Sequence, residues 1–295
     1  MLAQLVLNGA ALGAAYALVA LGFVLVLNAA GAVNFAHGDL VMAGGMLGAV
    51  LGPMAAEAFG PVPGVVLLPL VLLVMAGLGV LVAAVAYLPL RRKPPVAVFV
   101  TTIAVGIMLQ NGANTLLGGE PRAAPPLLSG GTVTLWGGVT APEQSLAVIA
   151  AAAVLITLQV WVFGHTHTGR RLRAAAQDPD MARACGIPVT RMVLATFAIG
   201  SAYAGAAGLL LANQYFVTPH AGGDLILKAY IAVTVGGWGS VPGAVLGALL
   251  IAGFEVGVSA ALSYPAAQGA LYLTLLLMLV LRPQGLLGEA ARRRA

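Results

Sequence analysis

The chain has very few charged side chains for its length. Asp, Glu, Lys and Arg make up 8% of its 295 residues, whereas a soluble globular domain carries about 25%. So few charges cannot cover a water-facing surface, and this excludes an ordinary soluble domain. Hydrophobic residues make up 60% of the chain, and the mean hydropathy is +1.00. The composition predicts an all-α polytopic protein embedded in the lipid bilayer.

Several chemical signatures are also missing. Cys185 is the one cysteine, so an intramolecular disulfide is excluded and no cysteine-based metal site is expected. The net charge of +5 is scattered between apolar runs, which argues against nucleic acid as a partner. The sequence has no Gly-x-x-x-x-Gly-Lys-Ser/Thr loop and no His-Glu-x-x-His or Gly-x-Ser-x-Gly motif. We therefore expect no catalytic residue, metal or cofactor in this chain.

Long apolar runs divide the chain into membrane spans. A spanning helix needs about 20 apolar residues, and the clear candidates are residues 5–27, 62–88, 96–117, 144–163, 192–213, 243–262 and 267–281. The first run is longer than a signal-peptide core of about 7 to 15 residues, so it is expected to remain as a span. Residues 35–51 and 225–237 are shorter or broken by glycine, as half-helices or re-entrant segments are. We predict one permease domain, residues 1–295, with about eight to nine transmembrane helices.

Basic residues predict the orientation of the bundle, because Lys and Arg beside short loops stay in the cytoplasm. They form three clusters, which are Arg91 to Lys93; Arg170, Arg171, Arg173, Arg183 and Arg191; and Arg282 with Arg292, Arg293 and Arg294. All three basic clusters lie on the same side of the membrane only if the chain crosses the membrane nine times. The N-terminus is then periplasmic and the C-terminus cytoplasmic, with residues 118–143 as a periplasmic loop and residues 164–191 as a cytoplasmic segment.

A short motif occurs twice and hints at two related halves. Gly38-Asp39-Leu40 follows the first span, and Gly223-Asp224-Leu225 follows the span that begins near residue 192. With nine crossings the two halves would have opposite orientations, as in inverted-repeat transporters. The motif is short enough for chance resemblance to remain an alternative.

The cytoplasmic segment contains start and stop signals for a helix. Asp178 suits an N-cap, Pro179 the first helical position and Gly186 a left-handed C-terminal cap. These signals predict a helix of about two turns that includes Ala182. Such a short helix is marginal in water, so it should be held by docking onto a partner. An ordinary basic loop, kept inside by Arg170, Arg171 and Arg173, is the alternative.

Polar residues inside the spans are the candidates for a substrate pathway, because burying them in lipid is costly. Glu255 lies near the middle of its span and either faces a pathway, in a charged or protonated form, or bonds a neighbouring helix. Asn111, with Gln110 and Asn114 nearby, either contacts a zwitterionic solute or joins helices. Asn34, His37 and Asp39 open the first weak segment, where their side chains either cap the helix start or present polar groups at a broken-helix site. Asp224 and Lys228 are predicted to pair near the outer surface.

Glycines that would break a helix mark a possible hinge. Gly236, Gly237, Gly239 and Gly243 surround a turn that Pro242 reinforces. This turn either lines an inner gate or is a plain hairpin between two helices.

Four blocks of sequence resemble the permease subunits of Liv-type branched-chain amino-acid ABC importers. They are spread over nearly the whole chain and read Asn34-Phe35-Ala36-His37-Gly38, Ala176-Gln177-Asp178 through Gly186-Ile187, Gly236-Gly237-Trp238-Gly239-Ser240-Val241-Pro242-Gly243-Ala244, and Arg282-Pro283-Gln284-Gly285-Leu286. The resemblance implies a type II importer-like fold in the inner membrane. It also implies a second homologous permease, two cytoplasmic ATPases and a periplasmic binding protein as partners, with a small amino acid as substrate.

The resemblance also implies that residues 169–188 of this chain form the coupling segment. This segment would sit in a groove of an ATPase that supplies the nucleotide chemistry. A stand-alone, ion-coupled secondary transporter or channel for a small polar solute is the second hypothesis, in which Glu255 and Asp39 would be the coupling carboxylates.

Overall fold

The computed structural model describes residues 2–128, 131–134, 140–282 and 284–287. These residues form a helical bundle, as the composition predicts, with one small two-stranded sheet at its edge. The helices are α1 (Leu2–Ala30), α2 (His37–Phe59), α3 (Gly64–Val82) continued by a π-helical turn (Ala83–Tyr87), α4 (Pro95–Leu117), α5 (Glu143–His165), α6 (His167–Gln177), α7 (Pro179–Ala184), α8 (Val189–Gln214), α9 (Gly222–Gly236), α10 (Val241–Ala261) and α11 (Tyr264–Leu281).

Eight of the described helices are long and apolar enough to cross a membrane, namely α1, α2, α3 with its π-turn, α4, α5, α8, α10 and α11. The seven long apolar runs are confirmed as helices, and the first weak segment extends to a full-length helix, α2. The second weak segment stays short. At about 1.5 Å per residue, the 15 residues of α9 span about 22 Å, less than the hydrocarbon core of about 30 Å.

Helix α1 is the centre of the bundle and is almost wholly covered by other helices. It packs along its length against α10, and also against α8. Small residues make this close approach possible. A Cβ at Gly13 would press on Leu249 of α10, and one at Gly22 would overlap the carbonyl oxygen of Gly200 in α8. Helices α4, α5 and α11 lie at the periphery and expose most of their apolar surface.

The two copies of the Gly-Asp-Leu motif meet where α2 crosses α9. A Cβ at Gly38 would overlap the carbonyl oxygen of Gly222, and one at Gly222 would overlap the carboxylate of Asp39. Each aspartate bonds a peripheral helix, since Gln110 of α4 donates to Asp39 (2.8 Å) and Tyr272 of α11 donates to Asp224 (2.9 Å). Helix α1 also packs on α10 as α8 packs on α3. These reciprocal contacts fit two related halves.

The expected periplasmic loop, residues 118–143, is tied to the bundle over its described part. Arg122 and Val217 exchange backbone hydrogen bonds (2.9 and 2.8 Å), and Gly64 donates to the carbonyl oxygen of Pro126 (2.7 Å). Two strands, β1 (Thr132–Thr134) and β2 (Thr140–Pro142), pair in antiparallel register. The loop therefore covers the ends of α3 and α8 instead of extending freely.

Candidate functional site: a doubly capped short helix and a buried ion pair

The predicted short helix is present as α7, with both of its predicted caps. Asp178 Oδ1 accepts hydrogen bonds from the backbone N–H groups of Asp180 (3.0 Å) and Met181 (2.9 Å), and Pro179 opens the helix. Side-chain capping of this kind satisfies donors that a helix start leaves unpaired. The start of the helix is therefore fixed by the sequence itself.

The end of α7 is a Schellman motif. Gly186 has a φ of +77°, the left-handed conformation that glycine adopts without strain. Its N–H donates to the carbonyl oxygen of Arg183 (2.9 Å), and the N–H of Ile187 donates to that of Ala182 (2.9 Å). These two bonds define the motif. Ala182 is buried, whereas Met181 is 63% exposed, so α7 presents an apolar side chain outward.

A second helix precedes α7 and was not predicted. Thr166 caps the start of helix α6, because its hydroxyl accepts from the N–H of Gly169 (3.0 Å). Leu172 and Ala175 are buried on one face of α6, while Arg170 and Arg171 are exposed on the other. Arg173 donates to the carbonyl oxygen of Phe163 and so ties α6 back to α5. The predicted cytoplasmic loop is thus a pair of helices.

The first two arginine clusters lie at the same end of the bundle. Arg91 donates to the hydroxyl of Thr190 (2.8 Å) just after α7. A cavity of about 710 Å³ is lined by Arg91, Arg92 and Arg183 together with Pro179. Of the third cluster, Arg282 lies within the described residues, and Arg292, Arg293 and Arg294 lie outside them.

The glycine turn lies at this same end. The side-chain amide of Asn28 donates to the carbonyl oxygen of Gly239 (3.0 Å), and a Cβ at Gly236 would overlap the carbonyl oxygen of Gly243. Gly237 and Gly239 have φ values of +125° and +77°, so other residues would be strained there.

Two of the four sequence blocks meet at this turn. The N–H groups of Leu286 and Leu287 each donate (2.8 Å) to the last carbonyl oxygens of α9. A cavity of about 770 Å³ separates the turn from α6, with Trp238 and Pro242 on one side and Leu172, Arg173 and Ala176 on the other. The turn and the capped segment therefore face each other across an open space.

The polar residues proposed for a substrate pathway lie in three different places. His37 is fully buried and its Nε2 is 3.0 Å from the carbonyl oxygen of Val19, whereas the Oδ1 of Asn34 accepts from the N–H of Ala36 (3.1 Å). Asn111 is exposed and donates to Ile107 of its own helix (2.8 Å). Glu255 is buried in α10. The structure does not bring these residues together.

The predicted pair of Asp224 and Lys228 is present, but Lys228 is not at the surface and its closer partner is Glu255, which the sequence analysis did not predict. Lys228 is buried, and its Nζ lies 2.8 Å from Glu255 Oε1 and 3.7 Å from Asp224 Oδ2. Tyr16 completes the cluster, accepting from Lys228 (2.8 Å) and donating to Glu255 (3.0 Å). The sequence reading chose the neighbour four residues away, because only tertiary packing brings Glu255 close.

The fold and these sites define a class of protein: a polytopic α-helical membrane protein whose helices α6 and α7 are too short to span a bilayer. Residues 5–281 match the family model described as branched-chain amino acid transport system, permease component, and the chain belongs to this family. The predicted family membership is confirmed.

The relatives are permeases that match this chain over almost their whole length. The chain is 32% identical to the high-affinity branched-chain amino acid transport system permease protein LivH of Salmonella typhimurium and to that of Escherichia coli. It is 31% identical to the corresponding protein BraD of Pseudomonas aeruginosa. Each alignment covers 97% of this chain and 95% of the relative. No solved structure matches the chain closely enough to count as a relative.

Proposed function

We propose that this chain is one transmembrane subunit of an ATP-driven importer in the inner membrane that carries branched-chain amino acids into the cell. The observation that carries the proposal is α7, a helix of six residues with a side-chain cap at one end and a Schellman motif at the other. A loop that merely joins two spans needs neither device. The permeases LivH and BraD, which resemble this chain along its whole length, support the substrate class.

The partners follow from the family to which the chain belongs. Two cytoplasmic ATPases supply the energy and receive α7 in a groove, with Met181 as the exposed apolar contact. The exposed apolar faces of α4, α5 and α11 are shared between lipid and a second, homologous permease. A periplasmic binding protein delivers the amino acid to the side of the tied loop, residues 118–143.

The orientation belongs to the same proposal. With the arginine-rich end in the cytoplasm, α7, the glycine turn and the cavity between them all lie on the inner side. Residues 164–191 are then the coupling segment, in which Arg170, Arg171, Arg173, Asp178, Pro179, Ala182 and Gly186 act. Gly236, Gly237, Gly239 and Gly243 form the hinge of the inner gate. ATP-driven closure of the ATPases moves α6 and α7 against this gate.

Reconstitution tests the function directly. Proteoliposomes that contain this chain with its ATPases, second permease and binding protein should take up labelled leucine, isoleucine or valine only when ATP is supplied. Proteoliposomes that contain this chain alone should take up none. Uptake by the single chain under a proton or sodium gradient would contradict the proposal and favour a secondary transporter.

A further inference from the structure

A small cavity lies inside the bundle at the end remote from the arginine clusters. It has a volume of about 170 Å³ and is walled mainly by apolar residues of α1, α2, α8 and α9. Tyr215 and Phe216, which follow α8, and Tyr264, which opens α11, line it and are more than half exposed. At about 30 Å³ per water molecule, the cavity has room for roughly six waters or for one small solute.

Three charged side chains line this cavity, namely Lys228, Glu255 and Asp224. Two carboxylates therefore face one ammonium group, which leaves a surplus of negative charge among the lining residues. Lys228 Nζ donates hydrogen bonds to Tyr16 and to Glu255, both at 2.8 Å. Asp224 lies 3.7 Å from the same nitrogen, which is beyond hydrogen-bond distance. Since Lys has three donors, one remains for another acceptor. The half-exposed Asp224 accepts from Tyr272 through Oδ1 and has further lone pairs with which it can bind another cation.

Aromatic rings strengthen the preference for a cation. The centroid of the Tyr264 ring lies 5.7 Å from Lys228 Nζ. Tyr215 also lines the cavity. The faces of such rings attract ammonium groups. The rings and the surplus carboxylate therefore act in the same direction on a cation that enters the cavity.

The lysine of this cluster occurs in only one of the two related motifs. In the related motif of α2, the residue four positions after Asp39 is Ala43, where α9 has Lys228. The mouth of the cavity is strained as well. Phe216 has a φ of +51°, the only positive value among the non-glycine residues that the structure describes. Strain of this kind concentrates at binding sites, where it positions a side chain.

We propose that this cavity is a binding site within the membrane for a small aliphatic amino acid on its way inward, a site that recognises chiefly the ammonium group. Asp224 and Glu255 hold the ammonium group, the free donor of Lys228 takes the carboxylate, and the apolar wall holds the side chain. The inference rests on the proposed function, because it supplies that function with an entry site.

The test is equilibrium binding of tritiated L-leucine to the assembled permease–ATPase complex in nanodiscs, without the binding protein. Saturable binding is expected. Leucinamide, which keeps the ammonium group and lacks the carboxylate, should displace the label. 4-Methylpentanoate, which keeps the carboxylate and lacks the ammonium group, should not. Absence of saturable binding, or equal displacement by both compounds, would overturn the proposal.

Variants separate a binding role from a structural one. Asp224→Asn should weaken leucine binding at least tenfold, whereas Asp39→Asn, the motif counterpart outside the cavity, should leave it within twofold. The pair Lys228→Met with Glu255→Leu removes both charges and leaves neither buried alone. This double variant should assemble without binding leucine. If it assembles and binds leucine normally, the ion pair only joins α1, α9 and α10, and the proposal fails.

The binding site and the proposed function can be refuted separately. ATP-driven uptake by the complete wild-type importer tests that function separately. Uptake without leucine binding to the complex would refute the site and leave the importer intact. A wild-type importer that moves no branched-chain amino acid would refute the function.

Discussion

The caps of α7 give the sharpest prediction about coupling. Asp178 accepts from two backbone N–H groups at 2.9 and 3.0 Å, and losing such a cap costs about 0.5 to 2 kcal/mol, typically about 1 kcal/mol. A difference of ~1.4 kcal/mol is tenfold, so Asp178→Ala should shift α7 about fivefold toward unfolded forms. A helix of six residues is only marginally stable by itself, so little within the helix can offset the loss of the cap.

The assay is the ratio of leucine transported to ATP hydrolysed in proteoliposomes that contain the complete importer. Asp178→Ala should lower this ratio several-fold while the chain still inserts into the membrane. Gly186→Val should do the same, because a side chain in the left-handed conformation costs about 1 to 2 kcal/mol.

Matched variants show whether the caps themselves are responsible. Asp178→Asn keeps a good N-cap, and Gly186→Asn tolerates the left-handed conformation, so both should stay near the wild-type ratio. Hydrogen exchange at the amides of Met181 and Ala182 should be faster in Asp178→Ala and Gly186→Val than in these two matched variants. Equal ratios in Asp178→Ala and the wild type, or equal losses in Asp178→Ala and Asp178→Asn, would refute the reasoning.

Three other outcomes are expected. Gly208→Ala should lower the melting temperature in detergent by several degrees, because the added methyl overlaps a carbonyl oxygen of α2, whereas Gly253→Ala, with open space around it, should not. Cys185, the exposed single cysteine, should react with a membrane-impermeant maleimide in inside-out vesicles and not in intact cells; the opposite pattern would reverse the orientation. Tyr16→Phe removes the hydroxyl that donates to Glu255 at 3.0 Å, so the free energy of unfolding should fall by about 1.5 to 3 kcal/mol. An unchanged free energy of unfolding in denaturant would show that the hydroxyl contributes nothing to stability.

Local signals in the sequence were enough to predict the spans and the capped helix. Apolar length alone predicts α1, α8 and α10, because the membrane thickness sets the length of a spanning helix. The caps of α7 were predictable as well, since Asp178 and Gly186 act on backbone groups only a few residues away. Helix α6 was missed because its arginines suggest a loop, although the buried Leu172 and Ala175 lie three residues apart on one face.

Contacts between distant parts of the chain were beyond a local reading. Lys228 and Glu255 are 27 positions apart, and the pair forms only because α9 and α10 are antiparallel neighbours. The hydrogen bond from Leu286 to the end of α9 also joins segments that are distant in the sequence, so it too depends on tertiary packing. Sequence spacing points to neighbours on one helix face, so it favoured Asp224 as the partner of Lys228.

The shortness of α9 has a consequence for biogenesis. A helix of about 22 Å that carries a lysine is a poor substrate for insertion on its own, since a central Lys costs about 2.5 to 3.5 kcal/mol. Its counter-charge, Glu255, leaves the ribosome only with α10, and that helix carries the same kind of penalty alone. The two helices are therefore expected to leave the translocon together as one neutralised hairpin, so α9 enters the lipid only after α10 has been synthesised.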